Sequence, residues 1–275
     1  MKNQLLEKQV NLNNCLITYW EGGLASNSAP ILFLPGWAVS VETYLESLKA
    51  LSQRYQIIAP DLPGFCKSTS PTTLEDYDDY ADCIISFLAR LNIKKVHLVG
   101  HSIGGAIAIT LAASMPSLVS SLILVDSTGI PLGSLPEVML RRSIEMPAQL
   151  GSIKLQSVSK MLQSSLYNNF FNTRNVIQTA WLSLEKDLKP LLPKIKSPSL
   201  VLWGERDLFT PLKLGQELAQ GIKGSRLIVI EGEYHEWSMF RPEKFAPIIF
   251  DFIDEIEGSS VIPENSSTFG NMYKE

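Results

Sequence analysis

Short runs of apolar, largely β-branched residues recur along the chain with helix-like segments between them, and this alternation constrains the fold more than any other feature. In the first half the runs are Ile31 to Leu34, Gln56 to Ala59, Lys95 to Val99 and Ser121 to Val125. Between them, Val41 to Leu51 places Val41, Tyr44, Leu45, Leu48 and Leu51 at helical spacing. Thr73 to Leu91 carries Tyr77, Tyr80, Ala81, Ile84, Ile85, Leu88 and Leu91 on one helical face, and Ile103 to Ala113 is small and apolar throughout. Strands that are apolar along their whole length, rather than at every second residue, are buried on both faces. The pattern therefore predicts an α/β architecture, a mostly parallel sheet flanked by helices. One further strand-like run, Cys15 to Tyr19, comes before these, separated from Ile31 by the turn-forming stretch Gly22 to Pro30.

After Asp126 the rhythm is lost. Residues 127–197 contain Pro131, Gly133, Pro136, Pro147 and Gly151, helix-like stretches around Ile153 to Leu166 and Val176 to Leu184, and no good strand. The strand pattern returns at Ser199 to Trp203, and again at Arg226 to Ile230 after a helix from Leu212 to Gln220; a last helix runs from about Pro242 to Ile256. The expected organisation is a core made of residues 1–126 and 198–257, a helical insertion at 127–197, and a flexible polar tail at 258–275.

Composition narrows the functional classes. With 275 residues, 45% of them hydrophobic, the chain can bury one large core. Lys and Arg number 24 against 28 Asp and Glu, a net charge of -4 without a basic stripe, so nucleic acid is not an expected partner. The first residues, MKNQLLEKQV, lack the apolar run of a secretory signal, and no window reaches about 18 uninterrupted apolar residues. Cys15, Cys66 and Cys83 are an odd, scattered set with no CxxC pair, which argues against a disulfide framework or a thiolate zinc site. A cytoplasmic protein without a membrane span is the expectation.

The chemistry is suggested by Gly100-His101-Ser102-Ile103-Gly104, a G-x-S-x-G pattern between a strand-like run and a helix-like run. A tight strand-to-helix turn lifts the Ser102 hydroxyl above the sheet, and the helix N-terminus beneath offers N–H groups and a partial positive potential to an oxyanion. A serine hydroxyl needs a base. Of the three histidines, His97 lies within a strand and His101 within the turn itself, which leaves His235, just past the strand Arg226 to Ile230. The base needs an orienting acid, and Asp207 follows the preceding strand at the same sheet edge. Asp126, at the end of Ser121 to Val125, and Glu205, in the same loop as Asp207, compete for that role.

Beyond the turn, the chain carries Leu34-Pro35-Gly36-Trp37, Asp61-Leu62-Pro63-Gly64-Phe65-Cys66-Lys67-Ser68, Trp203-Gly204-Glu205-Arg206-Asp207, and His235 followed by Arg241-Pro242-Glu243. With these motifs, residues 10–257 resemble the α/β-hydrolase superfamily, in the group with a helical cap between strands six and seven. The resemblance implies an oxyanion hole made by the backbone N–H groups of Trp37 and Ile103. Pro35, Tyr234 and Phe240, and Cys66 within DLPGFCKS, depart from residues common in the family. A serine at 102 argues against dehalogenase and epoxide hydrolase chemistry, which in this fold uses an aspartate.

The expected activity is hydrolysis of an ester-type acyl bond in a small or medium apolar substrate through Ser102, His235 and Asp207, with no metal or organic cofactor. A carbon–carbon hydrolase acting on vinylogous diketones, and a non-catalytic ligand-binding role, are the alternatives. Met139, Met146, Phe170 and Trp181 are candidate pocket residues from the insertion. Arg141-Arg142 reads either as a site for an anionic group or as a solvated helix face, and Cys66 as either a reactive thiol or a small buried filler. The expected partner is a small-molecule substrate, and the expected state a monomer or homodimer.

Overall fold

The computed structural model describes residues 4–12, 15–24, 28–70, 74–150 and 155–259. Its strands are β1 (Leu6–Leu12), β2 (Cys15–Gly23), β3 (Ile31–Leu34), β4 (Gln56–Pro60), β5 (Val96–His101), β6 (Val119–Val125), β7 (Ser199–Gly204) and β8 (Arg226–Ile230). They form one sheet in the order β1-β2-β4-β3-β5-β6-β7-β8. β1 and β2 are antiparallel to their neighbours, and every pairing from β4 onward is parallel.

The helices are α1 (Leu45–Leu51), α2 (Tyr77–Arg90), α3 (Ile103–Ser114), α4 (Leu135–Leu150), α5 (Leu155–Phe171), α6 (Thr173–Glu185), α7 (Leu212–Gly221), α8 (Trp237–Phe240) and α9 (Pro242–Ser259). They cover both faces of the sheet. Residues of α2, α3 and α7 join one buried apolar cluster with Leu32, Leu98 and Leu122, and residues of α1 and α9 join a second with Phe33, Val99 and Ile123. Consecutive residues of β3 and β5 thus feed opposite layers, which is why these strands are buried at every position. α2 begins with a capping box in which Asp76 and Asp79 each satisfy a backbone N–H of the first turn. The DLPG motif acts locally: buried Asp61 accepts from the Val41 N–H at 2.8 Å and the Ser40 hydroxyl at 3.1 Å, fixing the turn that leads into α1.

Three elements differ from the sequence reading. β1 escapes periodicity because most of its residues are exposed; it is an edge strand held by pairing with β2 and by a Lys8 to Glu21 ion pair at 2.8 Å. β8 lies where the strand pattern of Arg226 to Ile230 places it, but as the opposite edge of the sheet it leaves Ile228 and Val229 exposed. α4 spans a region in which Pro136 and Pro147 argue for breaks. Pro136 falls in the first turn, where its missing N–H would have no partner, and Pro147 falls in the last. Among the described residues, those between β6 and β7 form α4, α5, α6 and a 3-10 turn at Lys189–Lys194, and no strand. Of the tail expected at 258–275, residues 258 and 259 end α9 and the rest lie outside the described residues. Among the described residues no helix is long and apolar enough to cross a membrane.

The strand order sets the location of a site. From β3 the chain passes through α1 to β4 on one side, and then through α2 to β5 on the other. Neighbouring strands β3 and β5 therefore flank a topological switch point, where the carboxyl ends of a parallel sheet leave a crevice. Trp37 follows β3 and Ser102 follows β5.

Candidate active site

Ser102 sits between β5 and α3 with φ 54° and ψ -121°, a strained backbone for a residue with a side chain. The turn tolerates no bulk. A Cβ on Gly100 would lie 2.4 Å from the Gly104 carbonyl oxygen, and one on Gly104 2.3 Å from that of Leu34. The Ser102 N–H donates to the Val125 carbonyl at 3.0 Å, tying the turn to β6.

His235 reaches this serine from the loop after β8. Its Nε2 lies 3.1 Å from Ser102 Oγ, and its Nδ1 lies 2.8 Å from Asp207 Oδ2. Asp207 is anchored in turn, with Oδ1 accepting from the Thr210 N–H at 2.7 Å and Oδ2 from the Thr210 hydroxyl. Ser102, Asp207 and His235 are all buried. Burial opposes protonation of His235, but the charge of Asp207, the hydrogen bond to it and the charge of Glu236 outweigh it, and the imidazole pKa is raised.

The competing carboxylates bind other groups than the His235 ring. Asp126 accepts from the Gly204 N–H at 2.7 Å and the Trp237 indole N–H at 2.6 Å, bridging β6, β7 and α8. Its burial, reinforced by the charge of Asp207, raises its pKa well above the carboxylate range. Glu205 accepts from the Gly232 N–H at 2.8 Å in an exposed turn. Neither hydrogen-bonds to the His235 ring.

His101, beside Ser102, organises the surroundings. Its Nε2 faces the His235 carbonyl oxygen at 3.0 Å, which only accepts, so Nε2 carries the proton and Nδ1 accepts from the Tyr44 hydroxyl at 2.7 Å. That hydroxyl accepts from the Gly36 N–H at 2.9 Å. Burial, with the neighbouring His235, pushes the His101 pKa down to about 3, so the ring is neutral.

The two amides implied as oxyanion donors lie on either side of the switch point. Ile103 is the first residue of α3, where helix N–H groups lack intrahelical partners. Trp37 lies in the turn after β3 and is fixed from above: its indole N–H donates to the Val176 carbonyl at 3.1 Å, and Asn168 of α5 donates to the Ala38 carbonyl at 3.0 Å. Asn168 also accepts from the Cys66 N–H at 2.7 Å, and its amide nitrogen lies 3.1 Å from the Cys66 sulfur. Burial pushes the Cys66 thiol up to about 12, so it stays protonated and acts as a filler rather than a reactive thiol.

A cavity of about 300 Å³ opens over Ser102. Met139 and Met146 line it, joined by Leu132, Val138 and Met161. Phe170 and Trp181 are not brought there, because α5 and α6 turn them outward and leave them 79% and 49% exposed. Arg142 does line the cavity, but as neither a solvated residue nor a free cation. It pairs with buried Glu236 and, at 3.4 Å, with buried Glu145. Burial would raise the Glu236 carboxyl, yet Arg142, His235 and hydrogen bonds from Arg142 and Gln149 hold it down to about 2. Among the described residues no group of three or more His, Cys, Asp or Glu is placed to hold a metal ion.

The sheet order and the site at its switch point define an α/β-hydrolase fold. The model of the alpha/beta hydrolase fold family matches residues 29–150. Relatives include the uncharacterized hydrolase YugF of Bacillus subtilis, 28% identical over 255 residues and covering 86% of this chain and 93% of that protein. The mouse monoacylglycerol lipase ABHD6 is 27% identical over 271 residues, covering 86% of this chain and 79% of its own length. A membrane phospholipase A, a bacterial virulence factor, has a similar structure with a TM-score of 0.78 at 27% identity, covering 92% of this chain and 87% of that one. The chain therefore has the fold of the α/β hydrolases, and its residues 29–150 match the model of that family.

Proposed function

We propose that the protein is a serine hydrolase that cleaves the acyl ester bond of a small or medium apolar substrate. One observation carries the reading: a continuous buried relay from Asp207 through His235 to Ser102, with distances of 2.8 and 3.1 Å, under an apolar cavity. His235 takes the Ser102 proton as Oγ attacks the acyl carbonyl, and the backbone N–H groups of Trp37 and Ile103 hold the resulting oxyanion. Asp207 keeps the proton on Nδ1 and stabilises the imidazolium. Collapse of the tetrahedral intermediate breaks the ester C–O bond, with His235 protonating the leaving alcohol. Water activated by the same imidazole then releases the acid and restores Ser102.

Helices α4 to α6 serve as the cap in this reading, since they supply Met139 and Met146, Met161, and Leu184 respectively to the cavity over the serine. The apolar lining favours an uncharged acyl chain, and the kinship with a monoacylglycerol lipase and a phospholipase A supports a fatty acyl ester.

The test is hydrolysis of p-nitrophenyl esters of graded acyl length, alongside a vinylogous diketone, by wild type and Ser102→Ala. The expected result is ester turnover that falls on the order of 10⁴-fold or more in Ser102→Ala. Turnover unaffected by the substitution overturns the proposal, and preference for the diketone over every ester moves it to carbon–carbon hydrolysis.

A further inference from the structure

The loops bearing the base and its acid are joined by a carboxylate that belongs to neither. Glu145 projects from α4 and is fully buried. Its Oε1 accepts from the His235 N–H at 3.0 Å, and its Oε2 accepts from the Phe209 N–H at 3.0 Å. The first amide belongs to the residue that carries the imidazole, and the second lies two residues beyond Asp207, next to Thr210, which holds that aspartate. The Phe209 ring also packs against the His235 ring, edge to face, with centroids 4.8 Å apart.

The same face of α4 grips the loop a second time. Arg142, Glu145 and Gln149 stand three and four residues apart, so they share one side of the helix. Arg142 and Gln149 both bind Glu236, the residue after His235, with the Gln149 amide donating at 2.6 Å. Arg142 bridges the two carboxylates. Backbone amides of two loops on adjacent strands thus converge on one side chain, each amide donating to its own carboxylate oxygen.

Resting on the serine-hydrolase reading, we propose that Glu145 is a positioning residue of that reaction, holding the His235 loop and the Asp207 loop in one register so that His235 Nε2 stays on Ser102 Oγ. It touches no reacting atom. The insertion is then a structural part of the relay as well as a wall of the pocket, and its α4 cannot swing away without releasing the base.

The experiment compares wild type, Glu145→Gln and Glu145→Asp for kcat and KM on p-nitrophenyl butyrate, thermal midpoint, and hydrogen exchange at the Phe209 and His235 amides. Glutamine places an NH₂ where one of the two amides needs an acceptor. The expected result for Glu145→Gln is a folded protein with KM within about twofold of wild type, kcat lowered about tenfold or more, and faster exchange at one or both amides, since misplacing a catalytic group by about 1 Å costs on the order of 100-fold in rate. A side chain that only stabilised the fold would lower the thermal midpoint and leave kcat per folded molecule unchanged, and that outcome overturns the proposal. Should Glu145→Gln not fold, Glu145→Asp decides: the carboxylate drawn back by one methylene lowers kcat with KM retained, whereas wild-type kcat refutes the role. Wild type that hydrolyses esters while Glu145→Gln matches it removes only this inference; wild type with no Ser102-dependent turnover removes the hydrolase reading and this inference together.

Discussion

The hydroxyl of Tyr44 lies 2.7 Å from Nδ1 of His101, and this contact joins the turn after β3 to the loop that presents His235. The relay runs from the Gly36 N–H to the Tyr44 oxygen, from the Tyr44 O–H to His101, and from His101 Nε2–H to the carbonyl of His235. Both halves of the candidate site, the oxyanion side and the base side, are thereby tied to one buried neutral histidine.

Tyr44→Phe removes the middle of that chain and leaves the Gly36 N–H and His101 Nδ1 buried without partners. The expected cost is about 1–3 kcal/mol of stability, measured by denaturant unfolding. Hydrolysis slows as well, because Gly36 adjoins the Trp37 amide. A stability change within error of zero would show that water or another group replaces the hydroxyl.

Charge state separates the two histidines at the site. His101, held near a pKa of about 3, stays neutral while the unfolded residue protonates below about 6.5. Its contribution to stability is therefore present above the unfolded value and is lost as pH falls toward the folded one. Asp61, raised by burial to about 6, contributes with the opposite sign, so an acid melt mixes the two. Imidazole ¹⁵N shifts resolve them: His101 reads as an Nε2–H tautomer from neutral pH down to about pH 5. A charged His101 in that range contradicts the network.

For His235 the sign reverses. The influence of Asp207 and Glu236 exceeds the effect of burial and lifts its pKa above the usual 6.5. The base must be neutral, so kcat/KM is high at alkaline pH and falls as pH drops through that raised value. A pH profile of ester hydrolysis with its acid limb centred above about 6.5 is expected; a limb well below it contradicts a raised His235.

Substitution distinguishes the carboxylates. Asp207→Asn leaves no acceptor matched to Nδ1–H and lowers kcat on the order of 10³- to 10⁴-fold. Asp126→Asn loses one buried bond, to the Gly204 or the Trp237 N–H, and costs about 1–3 kcal/mol of stability with kcat within about tenfold of wild type. Equal losses of kcat would return Asp126 to the role of orienting acid.

The cavity predicts a size limit. Met146→Trp adds bulk to a space of about 300 Å³ and shifts the preferred p-nitrophenyl ester toward shorter acyl chains. An unchanged preference shows that the acyl chain leaves by another route.

The sequence was legible where backbone chemistry is strict. Gly100 and Gly104 mark the turn because no side chain fits there, and unbroken apolar runs mark strands covered on both faces. Elimination isolates His235, since His97 and His101 are committed within β5. β1 was illegible because an edge strand is held by main-chain pairing rather than by an apolar face. α4 was masked by Pro136 and Pro147 at its two ends, and with it the Arg142, Glu145, Gln149 spacing that could have signalled a buried polar face. Phe170 and Trp181 misled because hydrophobicity alone does not say which side of a helix faces a pocket. The network around Tyr44 joins residues far apart in sequence and has no local signature.

The central claim is that Ser102 is an activated nucleophile, and covalent labelling tests it without knowledge of the substrate. Purified wild type and Ser102→Ala are treated with a fluorophosphonate and analysed by intact mass and peptide mapping. A single adduct on the wild type, mapped to Ser102 and absent from the variant, is the predicted result. A folded wild type that remains unlabelled, or an adduct that persists in Ser102→Ala, contradicts it.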